Sequence, residues 1–310
     1  LLGTVPNPGT VPDFEFQTAN TSRAYLKVQD GCSGRCAFCI VPQFRGPPRS
    51  EPFSTVLARA RDFLANGYRE IVVTGCNLAL YRSEGRGLPD LVSALAELRN
   101  SDVSHRIRLG SVEPGICDAA LLDAMEAHQN VCRHVHLSLQ SAADRVLARM
   151  NRPYKIGQVA AFCSDAVRRL GPRLALGADV ICGFPGETEE DFRKLMSFVE
   201  TQRFDRMGAF VYSPEEGTPA CDLQETLSEE EKQLRLDELM ALQEKISFER
   251  NCEKIGRTVK VIIDRKEGGF YVGRTQYDSP EVDNEVLVKT SRKLMSGDFC
   301  DVKITNATEF

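Results

Sequence analysis

The run Ile71-Val-Val-Thr-Gly75 begins with three apolar β-branched residues, which predicts a strand buried on both faces of a parallel sheet. The preceding segment 54–66 has helical periodicity, and Gly67 stands where the C-terminal cap of that helix is expected. A helix followed by a buried strand is the repeating unit of α/β folds, so this stretch predicts the fold class.

The same unit recurs on both sides of this stretch. We expect further strands at 25–30, 106–114, 134–140, 174–181 and 207–212. We expect helices at 91–98, 119–127, 144–150, 157–170 and 188–201, the last with Thr188 as its N-cap and Asp191 as the reciprocal partner. The six alternations predict a parallel sheet that closes partly or completely into a (β/α) barrel, with an active site at the C-terminal strand ends.

After the last of these strands the pattern changes. Ser228-Glu-Glu-Glu231 predicts a capping box that opens a long helix to about residue 254. The apolar period then becomes two, at 259–263, 270–275, 285–288 and 299–304. We therefore expect a linker at 1–21, the barrel at 22–226, a connecting helix at 227–254 and a small all-β, OB-like barrel at 255–310, of a kind that often binds RNA or protein.

Composition limits the class of protein. The 310 residues carry a net charge of −5 and are 42% hydrophobic, which is enough for a sizeable core and argues against a general basic coat for nucleic acid. No run of about 18 apolar residues is present, so we expect no membrane span and no membrane partner. Neither a signal peptide nor an initiator Met is present, which predicts a cytoplasmic piece of a longer protein.

Three closely spaced cysteines, Cys32, Cys36 and Cys39, are the predicted catalytic and metal-binding residues. Thiolates are the usual ligands of iron–sulfur clusters, whereas zinc normally takes four Cys or His ligands, and the histidines lie far along the chain. Three ligands on a 4Fe–4S cluster leave one iron open. An open iron can chelate S-adenosylmethionine (SAM) and pass an electron to its sulfonium, which yields a 5′-deoxyadenosyl radical that abstracts hydrogen. The alternative is a nucleic-acid or ribosome binding module with a structural cluster, which should have four protein ligands.

Glycines and polar residues follow several predicted strands. The segment Gly183-Phe-Pro-Gly-Glu187 leaves a strand and opens a helix, which predicts contact with the adenine or ribose of SAM. The candidate cofactor-binding residues are Phe38, Glu113, Gln140, Gly183, Phe184, Pro185, Gly186 and Glu187. The competing interpretation is a plain strand-to-helix turn with structural polar residues. Arg45 and Arg49 either reach a SAM carboxylate or a phosphate, or lie in solvent.

The cysteine spacing, with Phe38 before the third cysteine, resembles the signature of radical SAM enzymes. Within that group the chain resembles the methylthiotransferases in Gln29-Asp-Gly-Cys-Ser-Gly-Arg-Cys-Ala-Phe-Cys-Ile-Val-Pro42, in Gly183-Phe-Pro-Gly-Glu-Thr-Glu-Glu-Asp-Phe192 and in Tyr212-Ser-Pro-Glu-Glu-Gly-Thr-Pro219. Its tail is similar to their TRAM domain. The resemblance implies an enzyme that inserts a sulfur and a methyl group at an unreactive C–H carbon, with an electron donor such as flavodoxin or ferredoxin.

Members of this family also have an N-terminal domain with three more cysteines and a second 4Fe–4S cluster. None of the dispersed cysteines of this chain reproduces that set. The resemblance therefore implies that the 310-residue chain cleaves SAM without completing methylthiolation. A radical SAM enzyme that inserts no sulfur is the alternative.

The resemblance implies two substrates. Segments 71–75, 106–114 and 134–141 are similar to the MtaB-type enzymes, which act on threonylcarbamoyl-adenosine in tRNA. Segments 205–212 and 273–283 are similar to the RimO-type enzymes, which modify an aspartate of a small-subunit ribosomal protein. The acidic stretch 278–285 favours a basic protein as the partner of the tail. The longer resemblance of the barrel makes tRNA the expected substrate and the ribosomal protein the alternative.

Overall fold

The computed structural model describes residues 22–98, 104–171 and 174–309, so the linker expected at 1–21 lies outside the described residues. Strands and helices alternate as far as β7, and only strands follow α8. In chain order the elements are β1 (Arg23–Asp30), α1 (Val41–Arg45), β2 (Arg49–Ser50), α2 (Phe53–Ala65), β3 (Glu70–Gly75), α3 (Leu88–Ala96), β4 (Arg106–Leu109), α4 (Ala119–Ala127), β5 (His134–Gln140), α5 (Asp144–Arg149), α6 (Ile156–Leu170), β6 (Ala175–Cys182), α7 (Glu189–Gln202), β7 (Arg206–Val211), α8 (Glu229–Cys252), β8 (Thr258–Glu267), β9 (Phe270–Thr275), β10 (Val286–Val288) and β11 (Phe299–Lys303).

Six parallel strands form a partial barrel. β3 pairs with β1 and β4, and β6 pairs with β5 and β7, all in parallel. Single bridges from Ile107 to Val131 and from Val112 to Leu137 connect the two sheets. Within the described part of the chain β1 and β7 do not pair with each other, so the barrel is open between these edge strands. The expected α/β fold with a partial barrel is confirmed.

Helices cover the outer face of the barrel. Because of this cover, the strands are buried on both faces. Ile71 and Val73 of β3 are fully buried and belong to one large core with Leu91 of α3 and Phe192 of α7. None of the helices that the structure describes is both long and apolar enough to cross a membrane.

One predicted strand is much shorter than expected. The strand predicted at 106–114 ends at Leu109, and a short 3₁₀ turn begins at Pro114. Beyond Leu109 the chain leaves the ladder with β3: Gly110 N still donates to Val73 O (2.9 Å), but Val112 N donates to His136 O of β5 (2.8 Å). As a result, Glu113 lies in a loop just above the strand ends, where its carboxylate can turn toward the mouth of the barrel.

The N-terminus of α7 is closed by the predicted capping box. Asp191 N donates to Thr188 Oγ1 (3.3 Å), and Thr188 N donates to Asp191 Oδ2 (3.0 Å). We expect Thr188→Ala to lower the free energy of unfolding by about 1 kcal/mol, because one N–H of the first turn loses its acceptor. Urea denaturation followed by circular dichroism measures this. The control is Thr201→Ala, whose hydroxyl bonds only to Ser197 O near the helix end; an equal loss there would contradict the capping explanation.

The tail forms a small antiparallel sheet after the long helix α8. Ser228 caps that helix and Glu231 completes the capping box, as predicted. The sheet has the strand order β10-β9-β8-β11 and a core that includes Val261, Ile263 and Tyr271. The all-β region expected after the helix is therefore present.

The tail closes the end of the barrel at which its strands begin. We call the buried charged cluster Glu70, Arg106, Arg108 and Arg274 the barrel floor. The Glu70 carboxylate is fully buried and accepts from Arg106, from Arg108 Nε (2.8 Å) and from Arg274 Nη1 (3.1 Å). Because Arg274 belongs to β9, these ion pairs fasten the tail to the barrel.

The acidic stretch 278–285 also contributes to the contact between tail and barrel. Its carboxylates have partners within the chain: Asp278 binds Arg206 and Thr275, Glu281 binds Arg23 and Tyr25, Asp283 binds the Ser279 backbone, and Glu285 binds Arg265. Glu281 and Glu285 nevertheless stay exposed. That the stretch favours a basic protein as the partner of the tail stays a prediction.

Candidate active site

The three cysteines Cys32, Cys36 and Cys39 lie on one loop, between β1 and α1, at the C-terminal end of the barrel strands. Their thiols are free and half-buried. The loop starts at Gly31 with φ of +69°, and a side chain there would collide with the Pro47 carbonyl. Glycine is therefore needed for the turn that carries the chain from β1 into the loop.

Backbone hydrogen bonds anchor this loop to distant parts of the chain. Cys32 N donates to Gly46 O (3.1 Å), and Ala37 N donates to Met150 O (2.9 Å). Ala220 N donates to Ala37 O (2.8 Å). These bonds fix the position of the three thiols relative to the barrel, which a cysteine-rich loop alone does not do.

Polar N–H groups approach two of the thiols. Cys32 Sγ accepts from Gly34 N (3.2 Å) and lies 3.9 Å from Asn77 Nδ2, and Cys36 Sγ lies 2.8 Å from Arg152 Nη1. Burial raises the pKa of the Cys36 thiol, while the Arg152 guanidinium opposes that shift. Arg152 therefore favours the thiolate, which is the form that ligates iron.

A continuous polar chain connects these two thiols. Arg152 Nη2 lies 3.2 Å from Glu113 Oε1, and Asn77 Nδ2 donates to Glu113 Oε2 (2.8 Å). Both oxygens of Glu113, a predicted SAM-binding residue, thus bind side chains beside the cysteine loop, and its contact with SAM stays a prediction. The sequence alone did not indicate Arg152. This residue lies 116 positions from Cys36, and its place in the turn after α5 is the only local signal near it.

The donor set suits a multi-iron cluster. Each thiolate of a 4Fe–4S cluster binds a different iron, so its ligands stand farther apart than the ligands of one ion. Nowhere in residues 22–98, 104–171 and 174–309 do three His, Cys, Asp or Glu side chains converge closely enough to hold a single metal ion. Three free thiols on one loop, one of them beside a guanidinium, fit an iron–sulfur cluster better than zinc.

The predicted SAM loop Gly183–Glu187 lies beside the cysteine loop. The Phe184 ring is fully buried between Phe38 (centroids 6.4 Å apart) and Tyr212 (5.1 Å). Glu187 Oε1 accepts from Gly183 N (3.1 Å), and burial raises the pKa of that carboxyl. The structure thus brings Phe38 and this loop together through apolar packing.

The two glycines of this loop face the chain's own side chains. Gly183 and Gly186 have φ of +75° and +83°, and a Cβ there would meet Lys232 Cγ at 2.5 Å and the Arg149 guanidinium at 2.8 Å. Pro185 O accepts from Arg149 Nε (2.9 Å). A larger residue at either glycine would therefore disturb the fold as well as any SAM contact, so such variants do not test SAM placement cleanly.

The remaining candidates lie at the strand ends. Gln140 ends β5 with φ of +65°, an uncommon value for a residue other than glycine. Arg45 Nη1 and Arg49 Nη2 lie 3.9 Å and 3.7 Å from the Asp30 carboxylate. Burial acts to raise the pKa of Asp30, but hydrogen bonds, led by that from Lys27, lower it to about 2. Both arginines are thus partly engaged by a carboxylate of the chain, and a role toward SAM stays a prediction.

We expect Arg152→Gln to weaken iron retention about 10-fold, because partners that hold a metal ligand typically contribute that much to affinity. The measurement is iron release from the reconstituted chain during titration with a chelator. Arg168→Gln is the control, since Arg168 is exposed and pairs only with Asp165 in the described structure. Equal iron retention in both variants would contradict a role for Arg152 at Cys36.

Comparisons with known proteins agree with this geometry. The radical SAM superfamily model matches residues 26–199, and the TRAM domain model matches residues 255–310. The ribosomal protein uS12 methylthiotransferase RimO of Cytophaga hutchinsonii is 39% identical, over 94% of this chain and 67% of its own length. The proteins of the same name from Phocaeicola vulgatus and Christiangramia forsetii are 40% and 37% identical, over 93% and 100% of this chain and 67% and 71% of theirs. This chain thus spans about two thirds of the length of these relatives.

Two solved structures share the fold. The radical SAM methyltransferase TsrM of Kitasatospora setae is 16% identical with a TM-score of 0.54, over 89% of this chain and 46% of its own. The radical SAM enzyme HemN of Escherichia coli, a coproporphyrinogen III oxidase, is 15% identical with a TM-score of 0.53, over 83% and 67%. Radical SAM enzymes use a 4Fe–4S cluster and SAM, which confirms both cofactors expected here. By these matches, the chain belongs to the radical SAM superfamily and, within it, to the methylthiotransferases that have a TRAM domain.

Proposed function

We propose that Cys32, Cys36 and Cys39 ligate the 4Fe–4S cluster and that the enzyme methylthiolates an aspartate of ribosomal protein uS12. The observation that carries the first half is the placement of three free thiols on one anchored loop, with Arg152 Nη1 2.8 Å from Cys36 Sγ. The second half is supported by the relatives, whose names give uS12 as the protein on which they act.

When bound, the cluster and SAM supply reductive cleavage and hydrogen abstraction from an unactivated C–H bond. The chain's own residues prepare the site for that chemistry. Arg152 holds Cys36 toward its thiolate form, and Asn77 points an N–H at Cys32. The rings of Phe184 and Tyr212 pack with Ala37 of the cysteine loop in one apolar cluster, which supports the loop.

We place SAM across the strand ends, beside the loop Gly183–Glu187 and within reach of Glu113 and Gln140. The side chains of Phe184 and Glu187 are buried and already have partners. Backbone groups of this loop are therefore the ones left to contact the adenosine. This arrangement puts the reactive end of SAM over the mouth of the barrel.

The tRNA substrate expected from the barrel segments draws no support from the names of the relatives. The charge of the stretch 278–285 favours a basic protein over tRNA, although its carboxylates also have partners within the chain. The uS12 proposal therefore rests mainly on the sequence similarity of this chain to the RimO proteins. Its test must distinguish the two substrates directly.

Deuterium transfer distinguishes the substrates without requiring sulfur insertion. The chain is reconstituted anaerobically with iron and sulfide, then mixed with SAM, reduced flavodoxin and uS12 deuterated at its aspartate methylene carbons. We expect deuterium in the 5′-deoxyadenosine detected by mass spectrometry, because the abstracted hydrogen ends there. Uniformly deuterated tRNA in a parallel reaction should give none.

Each outcome has one meaning. Transfer from tRNA and not from uS12 reverses the substrate, and transfer from neither contradicts the proposal. A methylthio adduct on uS12, measured in the same samples, would in addition refute the expectation that the 310-residue chain stops after SAM cleavage.

A further inference from the structure

A cavity of about 630 Å³ lies inside the partial barrel, below the strand ends that carry the cysteine loop. Residues from all six barrel strands line it, together with α8 and the segment 279–284. On its wall His136 of β5 and Asp179 of β6 are in hydrogen-bond contact, with Nε2 and Oδ1 3.0 Å apart. Neither the cysteine motif nor the predicted SAM loop includes this pair.

Two glycines on the neighbouring strands leave room for this pair. His136 stands opposite Gly177 in the strand register, and Asp179 stands opposite Gly208. A Cβ on Gly177 would lie 2.5 Å from His136 Nδ1, and a Cβ on Gly208 would lie 2.8 Å from Asp179 Oδ1. The pair therefore lies flat against the barrel wall, which points to a site built into the strands.

Arg108 lines the same cavity and is 1% exposed. Its Nε donates to Glu70 (2.8 Å) and its Nη2 donates to Thr275 O (3.2 Å). Its remaining nitrogen, Nη1, has no hydrogen-bond partner within the described residues. Because Nη1 is itself fully buried, Arg108 contributes positive charge to the cavity wall, which favours an anionic ligand in the cavity.

We propose that His136, beside the positive charge of Arg108, binds the carboxylate of the aspartate that the enzyme modifies, and that Asp179 is a positioning residue that orients the imidazole. This contact requires the protonated imidazole, in which both ring nitrogens donate: Nε2 to Asp179 and Nδ1 to the incoming carboxylate. Binding the carboxylate below the strand ends leaves the methylene carbon of the substrate facing the mouth of the barrel. This inference rests on the proposed function.

The open side of the barrel offers a route for such a side chain. Tyr25 of β1 and Phe210 of β7 line the cavity from the two edge strands, and 49% and 58% of their surfaces are exposed. Exposed aromatic rings beside a polar pocket suit a peptide segment, which has apolar and hydrogen-bonding parts. Because Tyr25 OH donates to Glu281 (2.9 Å), the segment 279–284 borders this route, and a polypeptide would approach beside that segment with one aspartate directed inward.

A double-mutant cycle between enzyme and substrate tests the contact. The affinity of the reconstituted chain, with SAM bound, is measured for uS12 and for uS12 with asparagine at the target position. The wild-type chain should prefer the aspartate form about 10-fold, as expected for a hydrogen bond to a charged group. In His136→Gln this preference should fall below about twofold, and in Asp179→Asn it should be intermediate.

His128→Gln is the matched control, since His128 is half-buried near Glu97 and lies outside the cavity. It should keep the full preference. A second measurement is the fraction of 5′-deoxyadenosine that carries deuterium from labelled uS12, which should fall in His136→Gln because a mispositioned carbon lets SAM cleavage proceed without hydrogen abstraction from the substrate. Circular dichroism verifies that each variant is folded.

The failures are distinguishable. If the wild-type chain neither binds uS12 nor takes deuterium from it, both the proposed function and this inference are contradicted. If the wild-type chain prefers the aspartate form and His136→Gln keeps the same preference, only this inference is overturned.

Discussion

Replacing Cys36 with alanine is expected to remove most of the bound iron and all SAM cleavage from the reconstituted chain. The same result is expected for Cys32→Ala and Cys39→Ala. The three free thiols on the loop between β1 and α1 are the proposed cluster ligands, and two thiolates cannot replace three. Iron and sulfide content, the visible absorption of the cluster and 5′-deoxyadenosine formation measure the loss.

Cys300→Ala is the control, because Cys300 belongs to the tail sheet and packs against its core. It should retain iron and SAM cleavage at the wild-type level. A triple alanine variant at positions 32, 36 and 39 that still cleaved SAM would show that the cluster is held elsewhere.

Glu70→Gln is expected to lower the free energy of unfolding by about 3–5 kcal/mol, the usual cost of leaving a buried ion pair without one partner. The substitution keeps the shape of the side chain but removes the charge that neutralises Arg106, Arg108 and Arg274. These three guanidinium groups are buried and cannot regain water without opening the barrel floor. Urea denaturation and thermal unfolding measure the loss.

Glu84→Gln provides the comparison, since Glu84 pairs with Arg86 across 3.8 Å at the surface. Exposed pairs contribute about 0–1 kcal/mol, so this variant should remain near wild-type stability. If the two variants were equally stable, the barrel floor would not hold the tail to the barrel.

The same carboxylate gives a pH dependence with a definite sign. Burial alone would raise the pKa of Glu70, but the three arginines outweigh it and hold that pKa far below its usual range. Its contribution to stability is therefore complete above the unfolded carboxyl pKa of about 4.3 and is lost only as the pH falls through the depressed folded value. Glu70→Gln should accordingly flatten the acid limb of the stability curve.

Local signals in the sequence predicted most of the secondary structure. The helix expected at 188–201 is Glu189–Gln202, because the Thr188 capping box fixes its start. The strand expected at 71–75 is Glu70–Gly75, because an apolar β-branched run has few alternatives. The strand expected at 106–114 stops at Leu109, because the chain then turns from β3 to a single bridge with β5 at Val112, which the periodicity does not show. Helices and strands can thus be predicted from the sequence where the residues that determine their ends are close together in the chain.

Contacts between distant residues could not be read in this way. The cysteine spacing predicted a cluster loop, but Arg152 reaches Cys36 across 116 positions and carries no pattern of its own. The stretch 278–285 was interpreted from its charge alone, and its partners, such as Arg206 for Asp278, come from other strands. His136 and Asp179 meet only because β5 and β6 are neighbours in the barrel.

The barrel floor also sets an order of events during synthesis. Glu70 and Arg274 meet across 204 positions, so the carboxylate waits for a partner that is translated long after it. At about 5–20 residues per second the delay is on the order of 10–40 s. By the end of that time every barrel strand has been translated, since β7 ends at Val211, yet the charged lower end of the barrel stays open to water. The floor of the nascent barrel therefore stays incomplete until the tail has been translated, and a message truncated before Arg274 would leave Glu70 permanently without one of its three arginines.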